Sequence, residues 1–358
     1  TSSIATAILA AVRDVAEIRR DGRPVLRNSV SESTFSRRLI VALFALVVSL
    51  GSWIAPASAQ EATPTAPTPA LPVTVTDING ESVTVTDVSR IIPLNGDIAE
   101  IVYDLGFQAN VVGLDVSATY PEGWMESVPS IGYQRSLSAE GILSLEPTLV
   151  IGNADAGPPE IIDQVKAAGV TTVIIEDGEI SIDQPVAKIL AVAAALGVPE
   201  AGAALAEKTQ AEIDSATALA ATATSAPRVL FLYVRGADVA MIGGVGTGAD
   251  VMIEAAGGVN AGADLQGFVP MTPEALAAAA PDAFILLTAG LESVGGIDGL
   301  LELPGIAQTP AGENRAVLDY DDLYFLGLTP RTGEALTDLI YGLHPELVAA
   351  TPVASTTA

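Results

Sequence analysis

Two stretches of this chain repeat one frame, and that repetition narrows the fold more than any other feature. Ser138-Ala-Glu140 with Pro147-Thr-Leu-Val-Ile151, and Thr272-Pro-Glu274 with Pro281-Asp-Ala-Phe-Ile285, each set out a hydroxyl residue, Glu two positions on, Pro seven after that, and a β-prone run. A hydroxyl ahead of a helix accepts from the free amides of its first turn, and proline stops a helix from continuing. Each copy therefore reads as capped helix, proline turn and parallel strand. A weaker echo, Gly96-Asp97-Ile98 running to Gly106 and Ala249-Asp250-Val251 running to Gly257, recurs in the same order. Two echoes in one order predict two similar lobes.

Between the copies, Pro185 to Ala223 is almost wholly Ala, Leu, Val, Glu, Lys and Gln, interrupted at Leu196-Gly-Val-Pro199. From Glu200 to Ala223 it reads as one helix of about 35 Å at 1.5 Å per residue. One stiff helical crossover implies lobes that face each other across a cleft that moves little.

Short apolar runs alternating with helical patterns give the fold class: α/β, two similar lobes with parallel-type sheets joined by one long α-helix, the ligand cleft between them. Strands are expected at 91–94, 111–114, 149–151, 173–175, 229–233, 284–287 and 316–318. Helices are expected at 98–105 after Asp97 as N-cap, at 159–168 ending at Gly169, and at 334–342 after Thr332.

Composition then closes off several functions. The 358 residues contain no Cys and one His, so thiolate nucleophiles, iron–sulfur clusters, zinc fingers and polyhistidine metal sites are excluded. The net charge is −27, and the chain beyond residue 60 is more acidic still because residues 1–60 hold seven Arg against Asp14, Glu17, Asp21 and Glu32. Such a surface repels nucleic-acid phosphates.

Ser36-Arg-Arg38, the apolar run Leu39 to Leu50, and Ala57-Ser-Ala59 are the three parts of a secretory signal. The alternative of an uncleaved anchor meets a run that is short for a bilayer. The organisation expected is a doubtful upstream extension at 1–35, signal peptide at 36–59, Pro/Thr/Ala-rich tether at 60–84, N-terminal lobe at 85–184, linker region at 185–225, C-terminal lobe at 226–348 and disordered tail at 349–358. An exported protein of the periplasm or cell envelope follows, and with no cysteine after the signal a lipid anchor there is not expected.

Val88 to Val102, Ile131-Gly-Tyr-Gln-Arg-Ser-Leu-Ser-Ala-Glu-Gly-Ile-Leu-Ser-Leu145 and Met271-Thr-Pro-Glu-Ala-Leu276 resemble the haem-carrying substrate-binding proteins of bacterial ABC importers, within the helix-linked group that also serves siderophores and cobalamin. The likeness spans roughly residues 85–346. It implies ferric haem as the transported ligand, the permease and ATPase subunits of a haem importer as partners, upstream haem-donor proteins as a source, and no enzymatic activity.

Residue by residue, the resemblance places an iron ligand at Tyr133, and a phenolate is a hard anionic donor suited to Fe(III). Where some members carry His next to that Tyr, this chain has Gln134, which can hydrogen-bond a propionate or water but is a poor iron ligand. Tyr233 and Arg235 resemble the Tyr-X-Arg of Gram-positive haem binders. Alternation on a strand puts both on one side, so the guanidinium is expected to hydrogen-bond the phenolate oxygen. Arg135, Arg235 and, more weakly, Arg331 are the cations available for propionates. Phe268 and Met271 are candidates for a porphyrin wall or for the core. Glu140 and Glu274 match the permease-docking positions, although an acidic first-turn residue also suits the helix dipole.

Other readings are weighed beside this one. A ferric-siderophore or cobalamin binder has the same fold. An exported hydrolase using Asp319, Asp321 and Asp322 needs two carboxylates facing one pocket. A structural envelope protein would lack a cleft. Gly243-Gly-Val-Gly-Thr-Gly248 reads as a tight cleft-side turn rather than a phosphate loop, and His344 before Pro345 as a surface cap.

Overall fold

The computed structural model describes residues 67–350. The upstream extension, the signal segment, the first part of the tether and residues 351–358 lie outside the described residues. The chain begins there with a hairpin, β1 (Val73–Thr76) against β2 (Ser82–Val85), inside the stretch expected to be tether. Val-Thr alternation turns one face inward, and Leu71, Val73, Val75 and Val83 pack on the first-lobe core. Asn79-Gly80 supplies the turn, Gly80 taking φ +78.

In the first lobe β3 (Ile91–Pro93), β4 (Leu114–Asp115), β5 (Ser130–Gly132), β6 (Leu149–Gly152) and β7 (Thr171–Ile174) run parallel. β6 lies between β3 and β7, β5 pairs with β4, and a bridge from Ile91 to Val111 joins the two groups. The helices are α1 (Gly96–Asp104), α2 (Trp124–Ser127), α3 (Ala139–Leu143) and α4 (Pro159–Ala167). β6 is buried along its whole length, as a parallel strand covered on both faces must be. The cap of α1 falls on Asn95 rather than Asp97, without a side-chain bond, because the Asn95 amide is engaged elsewhere.

The linker is α5 (Gln184–Ala195) and α6 (Pro199–Ala220), broken at Leu196 to Val198 as the sequence implies. In the second lobe β8 (Arg228–Arg235), β9 (Val239–Gly243), β10 (Val259–Asn260), β11 (Phe268–Pro270), β12 (Ala283–Leu287) and β13 (Val317–Tyr320) form one sheet. β8, β10, β12 and β13 are parallel, but β9 turns back on β8 and β11 on β9. The sheet is thus mixed: Gly236 at φ +62 makes the reversal after Arg235. Around it pack α7 (Gly248–Ala255), α8 (Pro273–Ala279), α9 (Thr288–Ser293), α10 (Gly296–Glu302), α11 (Pro310–Glu313), α12 (Asp322–Leu326), α13 (Thr332–Leu343) and α14 (Pro345–Ala350).

The repeated frame folds as two corresponding units. Ser138 Oγ accepts from Gly141 N and Thr272 Oγ1 from Ala275 N, each three residues into its helix, and each helix leads through proline to a core strand, β6 or β12. α1 and α7 both end at a left-handed glycine, Gly106 and Gly257. His344 is not a surface cap. It is fully buried at the end of α13, where Nε2 donates to Ala256 O at 2.9 Å. Nothing in its local pattern announces that α7 ends against it.

Candidate functional site

Ligands of open α/β sheets sit beyond the carboxyl ends of the strands, and the first lobe follows that rule. Gly96 and Asp97 follow β3, Ser117 follows β4, Tyr133 to Arg135 follow β5, and Asn153 and Asp155 follow β6, all lining one cavity of about 520 Å³. Tyr233, Met241, Phe268, Leu287, Asp322, Leu323 and Leu326 of the second lobe line it from the other side. One wall is therefore polar and the other largely apolar. Its volume falls in the range of small-molecule sites, about 300–1,000 Å³.

Tyr133 leaves a firmly held loop. Gly132 has φ +92, a left-handed turn that a β-carbon would strain, and it aims the chain out of β5. The backbone on the far side is gripped twice: Gln134 N donates to Asp115 Oδ2 at 2.9 Å, and Gly157 N donates to Gln134 O at 2.8 Å. Gln134 Oε1 also accepts from Asn95 Nδ2 at 2.6 Å, so this side chain anchors the loop. Asn95 Oδ1 in turn accepts from Asn153 N at 3.0 Å. Buried Asp115 takes further bonds from the Ser117 amide and hydroxyl. Burial raises its carboxyl above the usual range, and these donors together with Gln134 N oppose the rise. The Tyr133 side chain itself stands 45% exposed over the cleft.

Across the cleft Tyr233 packs edge-on against Phe268, ring centroids 6.2 Å apart, with Phe231, Phe325 and Tyr320 stacked behind. Arg235 does share its side of β8, yet it covers the ring rather than meeting the hydroxyl: Cζ lies 4.7 Å from the Tyr233 centroid. Asp322 pulls the guanidinium there through an ion pair, and Nη1 donates to Val234 O at 3.0 Å. Burial raises the Asp322 carboxyl, with Arg235 opposing that rise and Asp321 adding to it.

The remaining expectations divide. Arg135 lines the cavity and pairs with Asp155 at 2.7 Å. Arg331 is displaced from the cleft. It chelates the buried Glu100 carboxylate at 2.9 and 2.7 Å, lies between the rings of Tyr120 and Tyr324, and lines a separate cavity behind the linker. Burial acts to lower the Arg331 pKa, but Glu100 outweighs it and raises the value. Met271 packs in the second-lobe core, and Met241 on β9 takes the wall position. In the glycine-rich turn, Gly246 N donates to Asp250 Oδ2 at 3.0 Å and Thr247 Oγ1 caps α7, so a carboxylate already occupies that helix start. The three acids of the hydrolase alternative do not form a facing pair: Asp319 accepts from Thr288, Asp321 caps α12, and Asp322 holds Arg235. Glu140 and Glu274 sit exposed in the first turns of α3 and α8.

Asp97, Ser117, Asn153 and Asp155 escape a reading confined to motifs. They become visible once the residues following each predicted parallel strand are collected.

Two α/β lobes joined by helices, with strand-end loops facing an aromatic wall across a cavity, define a helix-linked substrate-binding protein. The pattern of the periplasmic binding proteins matches residues 91–324, and the chain belongs to that family. A periplasmic haem-binding protein from Roseiflexus sp. RS-1, solved without ligand, is 54% identical and superposes with TM-score 0.71 over 73% of this chain and 100% of its own. The haem-binding protein BhuT, solved with two haems, is 42% identical with TM-score 0.67 over 72% of this chain and 98% of its own. An ABC transporter substrate-binding lipoprotein of Bacillus subtilis is 26% identical over 309 residues, 85% of this chain and 96% of its own. A cobalamin-binding protein of Halobacterium salinarum is 25% identical over 257 residues, 70% of this chain and 68% of its own. Among the described residues no helix is long and apolar enough to cross a membrane.

Proposed function

We propose that this protein is the extracytoplasmic component of an ABC importer that captures ferric haem and delivers it to the permease. The observation that carries the reading is the meeting of Tyr133 and Tyr233, one from each lobe, on a single cavity. Among the described residues no group of three or more His, Cys, Asp or Glu could hold a metal ion. Iron must then arrive with most of its donors already attached. A porphyrin supplies four in a plane and leaves the axial positions for a phenolate, whereas a siderophore that saturates the iron leaves nothing for tyrosine.

The aromatic and aliphatic wall of Phe268, Met241, Leu287 and Leu326 suits one face of a macrocycle. Arg135 and Arg235 stand near the tyrosines for the propionates, and a bidentate contact acts at about 3 Å, inside the screening length of about 8 Å that blunts the chain's overall negative charge. Glu140 and Glu274, exposed on corresponding helices of the two lobes, provide one acidic contact per lobe for a permease pair. The protein holds and hands over its cargo without chemistry on it.

Titration with haem, cyanocobalamin and a ferric hydroxamate tests this assignment. Haem is expected to develop a Soret band with saturable binding, and the other two are expected to bind at least tenfold more weakly. Tighter binding of cobalamin would move the protein to the branch represented by the Halobacterium relative.

A further inference from the structure

Arg135 lines the cavity and pairs with Asp155, while Lys188 and Arg235 sit behind the lining, each held by a carboxylate that belongs to it, Asp97 and Asp322. Lys188 Nζ meets Asp97 Oδ2 at 2.8 Å with the two side chains 3% and 13% exposed, and it also donates to Gly327 O at 2.6 Å. That buried contact is part of the fold. The two arginine pairs differ. Arg135 and Asp155 have side chains 58% and 59% exposed, Arg235 and Asp322 have 32% and 42%, and Asp155 and Asp322 both line the cavity. Each lobe thus presents an arginine at a strand end, neutralised by an aspartate that water can reach. Ion pairs open to water contribute little and exchange readily, so a competing carboxylate meets a low barrier of affinity. Without Asp155 and Asp322, one uncompensated guanidinium group would line the cleft and a second would stand against its Tyr233 wall.

We propose that Asp155 and Asp322 are specificity-setting exchange partners: each holds its lobe's arginine in the empty cleft and gives it up to a carboxylate of the arriving ligand. The inference rests on the haem reading, since a porphyrin with two propionates carries one carboxylate for each arginine. It makes the cleft select for acidic cargo while keeping the grip weaker than two free arginines would make it. On release the aspartates take the arginines back.

The test compares ferric protoporphyrin with its dimethyl ester, in which both carboxylates are capped, on the wild-type protein and on Asp155→Asn and Asp322→Asn. Each substitution is expected to tighten binding of the free acid about two- to fivefold, the size of an exposed pair. Neither should change binding of the diester. The gain from Asp322→Asn should vanish when Arg235→Ala is also present, and that from Asp155→Asn when Arg135→Ala is present. No gain in either variant, an equal gain with the diester, or a gain that survives loss of the arginine would overturn the proposal. Failure of the wild-type protein to bind either porphyrin would overturn both this inference and the haem reading, whereas wild-type binding without the aspartate effect would remove the inference alone.

Discussion

Tyr133 owes its position to groups that never reach the cavity. Asp115 fixes the amide next to it, Gly132 supplies the turn before it, and the Asn95–Gln134 pair ties the loop to the end of β3. Replacing Asp115 by Ala strands the Gln134 and Ser117 donors in a buried site, a loss of about 1–3 kcal/mol. Asp115→Ala is therefore expected to lower the urea midpoint and to weaken haem binding, and haem binding equal to wild type would show that the loop needs no such anchor. The resemblance of Gly132-Tyr-Gln-Arg135 and Tyr233-Val-Arg235 to haem binders points to the tyrosines, and the scarcity of cations in so acidic a chain to the arginines beside them. Tyr133, Tyr233 and Arg135 line the cavity, and Arg235 lies over the Tyr233 ring. The roles of Gln134 and Asn95 were not legible, because a side-chain amide looks the same in sequence whether it faces a ligand or a neighbouring strand end. Arg331 misled for a related reason: its partner, Glu100, lies far away in the chain and in the other lobe.

At the level of elements, two glycines let the linker helices pack on each other and on the second lobe. A β-carbon on Gly202 of α6 would stand 2.1 Å from Ala193 Cβ on α5, and one on Gly333 of α13 would stand 2.6 Å from Glu212 Cβ on α6. Helices approach this closely only where one side has no side chain, and a methyl inserted in such a crossing forces a shift costing about 1–3 kcal/mol. Gly202→Ala and Gly333→Ala should each lower the thermal midpoint, and a crossing that tolerates both unchanged would mean the helices slide freely. The break before α6, the capped helices and most core strands were readable from alternation and punctuation. The β1–β2 hairpin fell within a Pro- and Thr-rich stretch whose composition hid its alternation. The antiparallel return of β9 depended on Gly236, and with it went the exchange of Met271 for Met241 on the wall.

Across the whole molecule, Lys188 of the linker reaches Asp97 in one lobe and Gly327 in the other, and the lobes are tied directly by Arg331 to Glu100 and by Thr119 Oγ1 to Asp321 Oδ1 at 3.2 Å. An opening of the lobes would have to break these contacts. Arg331→Ala leaves the fully buried Glu100 carboxylate without its partner, and removing one member of such a pair costs about 3–5 kcal/mol. A large drop in the denaturation midpoint is expected, with an undiminished midpoint as the opposing result. Beside this pair, partial burial at the rim of the rear cavity and, after it, the Glu100 carboxylate push the Asp104 carboxyl up to about 6, with Lys208 and Arg331 opposing the rise. Its proton leaves the folded chain at higher pH than the unfolded one, so its contribution makes stability fall as pH rises from about 4 to about 6. Asp104→Asn should remove that slope and stabilise the protein above pH 6, modestly because the side chain still meets solvent. A pH profile identical to wild type would contradict the assignment. The two-lobed plan itself was legible from the repeated frame. The ties between lobes were not, since pairs this distant in sequence carry no local signature.

Capture of ferric haem here requires a tyrosine oxygen of this cleft to bind the iron. Resonance Raman spectra of the haem complex, excited in the phenolate-to-iron charge-transfer band, address it directly. The wild-type complex is predicted to show enhanced tyrosinate modes that disappear or shift in Tyr133→Phe, in Tyr233→Phe, or in both. Spectra without such modes, or modes unchanged in both variants, would contradict the account.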